Sequence, residues 1–74
     1  MNETIKKILA ETFRIQVDRI GEDTSIETID TWDSLTHMEL IANLEMGLRL
    51  EFSSEEIIAM TNFGEIARIV GGKI

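Results

Sequence analysis

Apolar residues recur with a helical period along most of the chain, and they thin out in one long polar segment. Ile5, Ile8, Leu9, Thr12 and Phe13 fall at i, i+3, i+4, i+7 and i+8, with Lys6, Lys7, Glu11 and Arg14 between them. That spacing predicts a first amphipathic helix over about residues 3 to 16. From 17 to 33 the period is lost. Val17, Ile20, Ile26 and Ile29 stand among Gly21, Asp23, Thr24, Ser25, Thr28 and Asp30, which predicts a long ordered loop pinned to the core by those aliphatic side chains. Ser25 to Ile29 also reads as β-strand, but one isolated strand would have no sheet to join. A second helix is predicted from Ser34 to Leu48, with Leu35, Met38, Ile41, Ala42, Leu44, Glu45 and Leu48 as an imperfect inner stripe, Leu40 widening it, and Gly47 marking where it can fray. Ser53 with Glu56 makes a capping box for a short helix over Ser54 to Met60. Asn62 with Glu65 repeats the device for a final helix through Ile66, Ala67, Ile69 and Val70, stopped by Gly71-Gly72.

The fold class is therefore all-α, with three longer helices, one short helix and a long loop between the first two. Seventy-four residues make a single domain, 1–74. A chain this short buries only about 60% of the surface its unfolded form exposes, which leaves no room for a deep cleft with supporting layers and argues against a self-sufficient enzyme. There is no Cys and only one His, so neither a disulfide framework, a thiolate metal site nor an imidazole cluster is available. A reducing, cytoplasmic setting fits that usage. Apolar runs are too short for a signal peptide or a membrane span. Repeats, linkers and low-complexity segments are not seen.

Charge is unevenly placed. Residues 1 to 21 and 57 to 74 each carry +1, whereas 22 to 56 hold ten carboxylates against Arg49 alone, a net −9 within a total of −7. Such a field repels nucleic acid and anionic lipid and steers basic protein surfaces toward the middle of the chain. At its centre lies Thr31-Trp32-Asp33-Ser34-Leu35-Thr36-His37-Met38-Glu39-Leu40. This stretch sets a serine at the start of the second helix, where the hydroxyl is exposed and the helix end favours an attached anion.

Asp33-Ser34-Leu35 followed by Glu39-Leu40 resembles the attachment signature of acyl carrier proteins and of peptidyl carrier domains. Helix order, the long first loop and the place of Ser34 extend the resemblance over nearly the whole chain and imply the small four-helix bundle of that family. It further implies a covalent 4′-phosphopantetheine arm on Ser34, donated from coenzyme A by a phosphopantetheinyl transferase that supplies the base and metal ion this chain lacks. The chain is then a substrate and not a catalyst, and its lack of Cys suits a thiol supplied by the arm. Asp33 caps the helix, helps position the transferase's metal and cofactor, or does both. Leu35 is either a core contact or a docking residue. Glu39 and Glu45 suit a basic partner, and Met46 would make the docking surface partly apolar.

Ile8, Phe13, Met38, Ile41, Leu44, Met60, Phe63 and Ile66 are expected to face inward and to make room for an acyl chain between the short helix and the second helix. Trp32 reads as a loop anchor over the core and His37 as a surface helix residue. A Ser34–His37 hydrolase pair lacks both a nucleophile elbow and an oxyanion loop. Thr36, Met46, Gly47 and Arg49 stand where carriers of primary fatty acid synthesis often place acidic residues. That departure favours a stand-alone, monomeric acyl carrier for a polyketide, a modified lipid or another specialised product, served by acyl-loading, synthase and transferase enzymes with basic docking surfaces. A peptidyl carrier is the nearest alternative, and an unmodified acidic helical adaptor is the alternative from another class.

Overall fold

The computed structural model describes residues 2–74. Its helices are α1 (Asn2–Phe13), α2 (Ser34–Leu48), α3 (Ser54–Ala59) and α4 (Phe63–Gly71), with a 3-10 turn at Val17–Arg19. The all-α class and the pattern of three longer helices and one short one match the expectation. α1 stops three residues short of it because Arg14 turns into the left-handed region at φ 60. The Ile15 N–H then donates back to the Ala10 carbonyl over 3.1 Å, closing the helix end in a Schellman arrangement. α2 ends in the same way, with Arg49 at φ 57 and the Leu50 N–H donating to the Glu45 carbonyl over 3.1 Å. Neither end carries the glycine that usually announces such a stop.

Gly47 does not mark a frayed end but lies inside α2, where a Cβ would sit 3.2 Å from Ile8 Cδ1. It lets α1 and α2 approach closely. Ile5, Leu9 and Phe13 of α1 pack with Leu40, Ile41 and Leu44 of α2 and with Phe63, Ile66 and Val70 of α4, all buried, and Met60 closes the core just after α3. Thr12 is buried in the same seam, donating to the Ile8 carbonyl at 2.7 Å and accepting from Asn43 Nδ2 at 2.9 Å.

The inward face of α2 differs from the expected stripe. Leu40, Ile41 and Leu44 define it, and at 100° per residue His37 and Leu48 fall on that same side. Leu35, Met38 and Met46 lie opposite and are 71%, 54% and 76% exposed. Met38 therefore does not face the core. A stripe started at Leu35 runs about one residue out of phase, because apolar side chains on both faces of α2 conceal the true period.

In the loop, Ile20 and Ile29 are buried anchors as expected, but Val17 and Ile26 are exposed. Backbone bonds hold the segment at Ile26 instead. The Ile26 N–H donates to the Thr61 carbonyl and the Phe63 N–H to the Thr24 carbonyl, each over 2.9 Å, making a single antiparallel bridge between Ser25 and Asn62. Thr24 is itself buried, and its hydroxyl accepts the Gly21 N–H at 2.8 Å. The far end of the loop is tied down by the Thr31 hydroxyl, which donates to the Phe13 carbonyl at 2.8 Å, and by Trp32, only 3% exposed and stacked on Phe13 with ring centroids 4.6 Å apart. Trp32 is thus the core-covering anchor its position suggested.

α3 begins in the predicted Ser53–Glu56 capping box. At α4 only half of the second box forms: Asn62 Oδ1 accepts the Glu65 N–H at 2.8 Å, while the Glu65 carboxylate turns to Arg68 at 2.7 Å. No helix among the described residues is long and apolar enough to cross a membrane.

Candidate functional site

The end of the long loop aims one hydroxyl outward. Asp33 sits in an extended conformation, φ −122 and ψ −171, as the N-cap of α2. Its Oδ1 accepts the Thr36 N–H at 2.9 Å, and the Asp33 N–H donates to Thr36 Oγ1 at 2.8 Å. The Thr36 hydroxyl in turn donates to the Thr31 carbonyl at 2.6 Å. This reciprocal box closes the helix start without drawing on Ser34, which is the first residue of α2 and is exposed. Thr36 is a member of the site that the sequence reading missed. The spacing of three from Asp33 was visible, but a threonine in place of Glu or Gln at that position hides the box.

The Thr36 backbone N–H holds the Asp33 carboxyl below its ordinary value of 3.8, outweighing the opposing effect of desolvation. In the pH range between the depressed value and 3.8 the unfolded chain binds the proton more tightly than the folded one, so stability falls as pH falls. This contribution is complete above the ordinary carboxyl value and lost once the pH drops through the depressed one. Asp33→Asn, which keeps an accepting oxygen, is expected to melt near the parent at neutral pH and to lose this part of the acid sensitivity. Asp33→Ala is expected to melt lower at neutral pH. Thermal melts between pH 7 and about pH 3 check both.

The outward face of α2 is partly apolar. Leu35, Met38 and Met46 form an outer stripe on α2, Glu39 is exposed beside it, and Ile58 of α3 is 75% exposed. Leu35 is thus no core contact. Glu45 is less free than expected, since it is half-buried and its Oε2 accepts the Phe52 N–H at 3.0 Å, fastening the segment between α2 and α3.

His37 is not a loose surface residue either. It is half-buried, with Nδ1 3.0 Å from Trp32 Nε1 and Nε2 2.8 Å from the Ile57 carbonyl of α3. With both ring nitrogens engaged it is not available as a base for Ser34.

Of the residues expected to line an acyl site, Phe13, Ile41, Leu44, Met60, Phe63 and Ile66 come together in the core. Ile8 is half-buried at the edge of a surface cleft of about 380 Å³ shared with Glu11, Asn43, Met46 and Gly47. A second cleft, about 450 Å³, lies between α3 and α4 among charged residues that include Glu55, Glu56, Arg68 and Lys73. Neither is lined by the six core residues.

The site suits a covalently held group. Attachment needs an accessible hydroxyl that no structural bond requires and an N-cap that survives its modification, and Ser34 beside the Asp33–Thr36 box offers both. A family model described as the phosphopantetheine attachment site matches residues 3–70. A search of curated proteins finds no match. Among solved structures, the solution NMR structure of the holo acyl carrier protein from Geobacter metallireducens superposes with a TM-score of 0.86 at 32% identity, covering 97% of this chain and 83% of that one. The chain belongs to the phosphopantetheine-attachment family, as a helical carrier protein that bears a covalent 4′-phosphopantetheine and is not itself a catalyst.

Proposed function

We propose that the arm is bonded through Ser34 Oγ and that the chain carries acyl groups on it as thioesters, presenting them to enzymes of a specialised lipid or polyketide pathway. The observation that carries this reading is the exposed hydroxyl on the first turn of α2, with the helix capped by its neighbours. The other serines fit less well: Ser25 Oγ accepts the Glu27 N–H, Ser53 caps α3, and Ser54 opens a helix of only six residues. When bound, the arm supplies the thiol, which the Cys-free chain does not. Activation of Ser34 falls to a separate phosphopantetheinyl transferase, because His37 is held by Trp32 and Ile57.

The docking surface is read as a mixed one. Glu39 and the surrounding −9 segment attract basic enzymes, while Leu35, Met38 and Met46 supply exposed apolar contacts. Primary fatty acid synthesis is disfavoured by the thin acidic complement of α2, where Glu39 is exposed and Glu45 is engaged with Phe52.

An acyl cargo, as opposed to an aminoacyl one, is supported by the way α3 is held. Its six residues include no buried one, and a helix so short is unstable alone. Parting α3 from α2 would give up the His37–Ile57 bond and the partly buried Ile57 but no fully buried residue of α3, and would give an acyl chain access to Ile41, Leu44 and Met60. Met38, which lies outside, takes no part. Loading acyl groups of increasing length onto the arm tests this. Each buried CH₂ is expected to add about 0.8 kcal/mol, so melting temperature should climb with chain length. Melting temperatures that ignore length would place the cargo in solvent and favour a peptidyl carrier.

A further inference from the structure

We infer that His37 is a proton-sensitive clasp: as its Nε2–H tautomer it fastens the Trp32 segment to the last turn of α3, and a proton added at Nδ1 parts the clasp at Trp32. The clasp includes no atom of Ser34, so it stands or falls independently of where the arm is attached.

The tautomer follows from the partners. An indole N–H can only donate, so the 3.0 Å contact between Trp32 Nε1 and His37 Nδ1 requires Nδ1 to be the acceptor. The ring proton of the neutral imidazole then resides on Nε2, which donates to the Ile57 carbonyl at 2.8 Å. That carbonyl belongs to the final turn of α3, where helix carbonyls lack intrahelical partners, and the Met60 N–H reaches it only at 3.3 Å. One side chain on α2 thus satisfies the indole before Ser34 and the open end of α3 together.

A proton on Nδ1 turns the first contact into two donors facing each other. The indole cannot easily yield, being 3% exposed and stacked on Phe13. The contact to Ile57 responds in the opposite way, because a helix C-terminus favours a cation. The imidazolium therefore stays with α3 and parts from Trp32, loosening the loop end from α2 and α3.

The ionisable groups nearest in the packed elements do not oppose this. Asp33, beside Trp32, has its carboxylate on the Thr36 N–H. Glu56, beside Ile57 on α3, is held by the Ser53 N–H at 2.8 Å and by Lys73 at 2.9 Å. α1 contributes the uncharged Phe13 behind the indole. No carboxylate among the described residues pairs with His37.

Because the chain holds one Trp and one His, ¹⁵N NMR of the ring nitrogens reads the clasp without ambiguity. At neutral pH the imidazole is expected in the Nε2–H form, with the Trp32 indole proton protected from exchange. As the imidazole is protonated on acidification, the protection of the indole proton, measured against a free indole at the same pH, should fall about tenfold, the weight of one net hydrogen bond. His37→Gln, whose amide can accept from Trp32 and donate to Ile57 without titrating, should keep the protection and lose the response. Trp32→Phe, which retains a ring against Phe13 but has no N–H, should let the Nδ1–H tautomer appear, and it serves as the test should the Gln variant not fold. An Nδ1–H imidazole in the parent at neutral pH, indole protection that does not follow imidazole protonation, or an unchanged tautomer in Trp32→Phe would each overturn the inference.

Discussion

Phe13→Ala is expected to destabilise the domain by about 3 to 5 kcal/mol. A chain of 74 residues has a total stability of about 4 to 11 kcal/mol, so this one change removes a large share of it. Phe13 is fully buried at the end of α1, and its ring supports the indole of Trp32 at 4.6 Å. Its carbonyl accepts the Thr31 hydroxyl at 2.8 Å, so its backbone position also holds the loop end that leads to Ser34. Truncation therefore leaves a cavity under the loop as well as between the helices. Urea denaturation followed by Trp32 fluorescence should show a much lower midpoint, and native Trp32 emission should shift toward that of an exposed indole. A midpoint close to the parent's would mean that Trp32 and the helices close over the gap and that the stack is not central to the core.

How much of this was readable beforehand depended on whether the determining interaction was local. The starts of α2, α3 and α4 were legible because Asp33, Ser53 and Asn62 cap by contacts three residues away. The end of α1 at Arg14 was not, since a left-handed arginine carries no sequence mark. α2 was located correctly at both bounds yet misread in rotation, because Leu35, Met38 and Met46 make its outer face as apolar as Leu40, Ile41 and Leu44 make its inner one. The bridge between Ser25 and Asn62 joins segments far apart in sequence, and period-based reading has no access to such pairs. His37 was misassigned for a related reason: its partners are Trp32 and the carbonyl of Ile57, twenty residues on. At the site itself, Ser34 and Asp33 were singled out by one short motif, while the exposure of Leu35, the Thr36 box and the engaged Glu45 emerged only with the structure.

Loss of Ser34 is expected to be all-or-none in its chemical effect and almost silent in its structural one. The side chain is exposed, and the box that starts α2 is made by Asp33 and Thr36. Ser34→Ala should therefore keep the helical content and melting temperature of the parent, since alanine is also a good helix former. Failure to be modified can then be attributed to the missing hydroxyl and not to unfolding. Intact mass after incubation with coenzyme A and a broad-specificity phosphopantetheinyl transferase tests the attachment directly. The parent is expected to gain the mass of one phosphopantetheine and Ser34→Ala none. A parent that stays unmodified, or a Ser34→Ala variant that still gains the arm, would contradict the assignment of Ser34 as the carrier's attachment point.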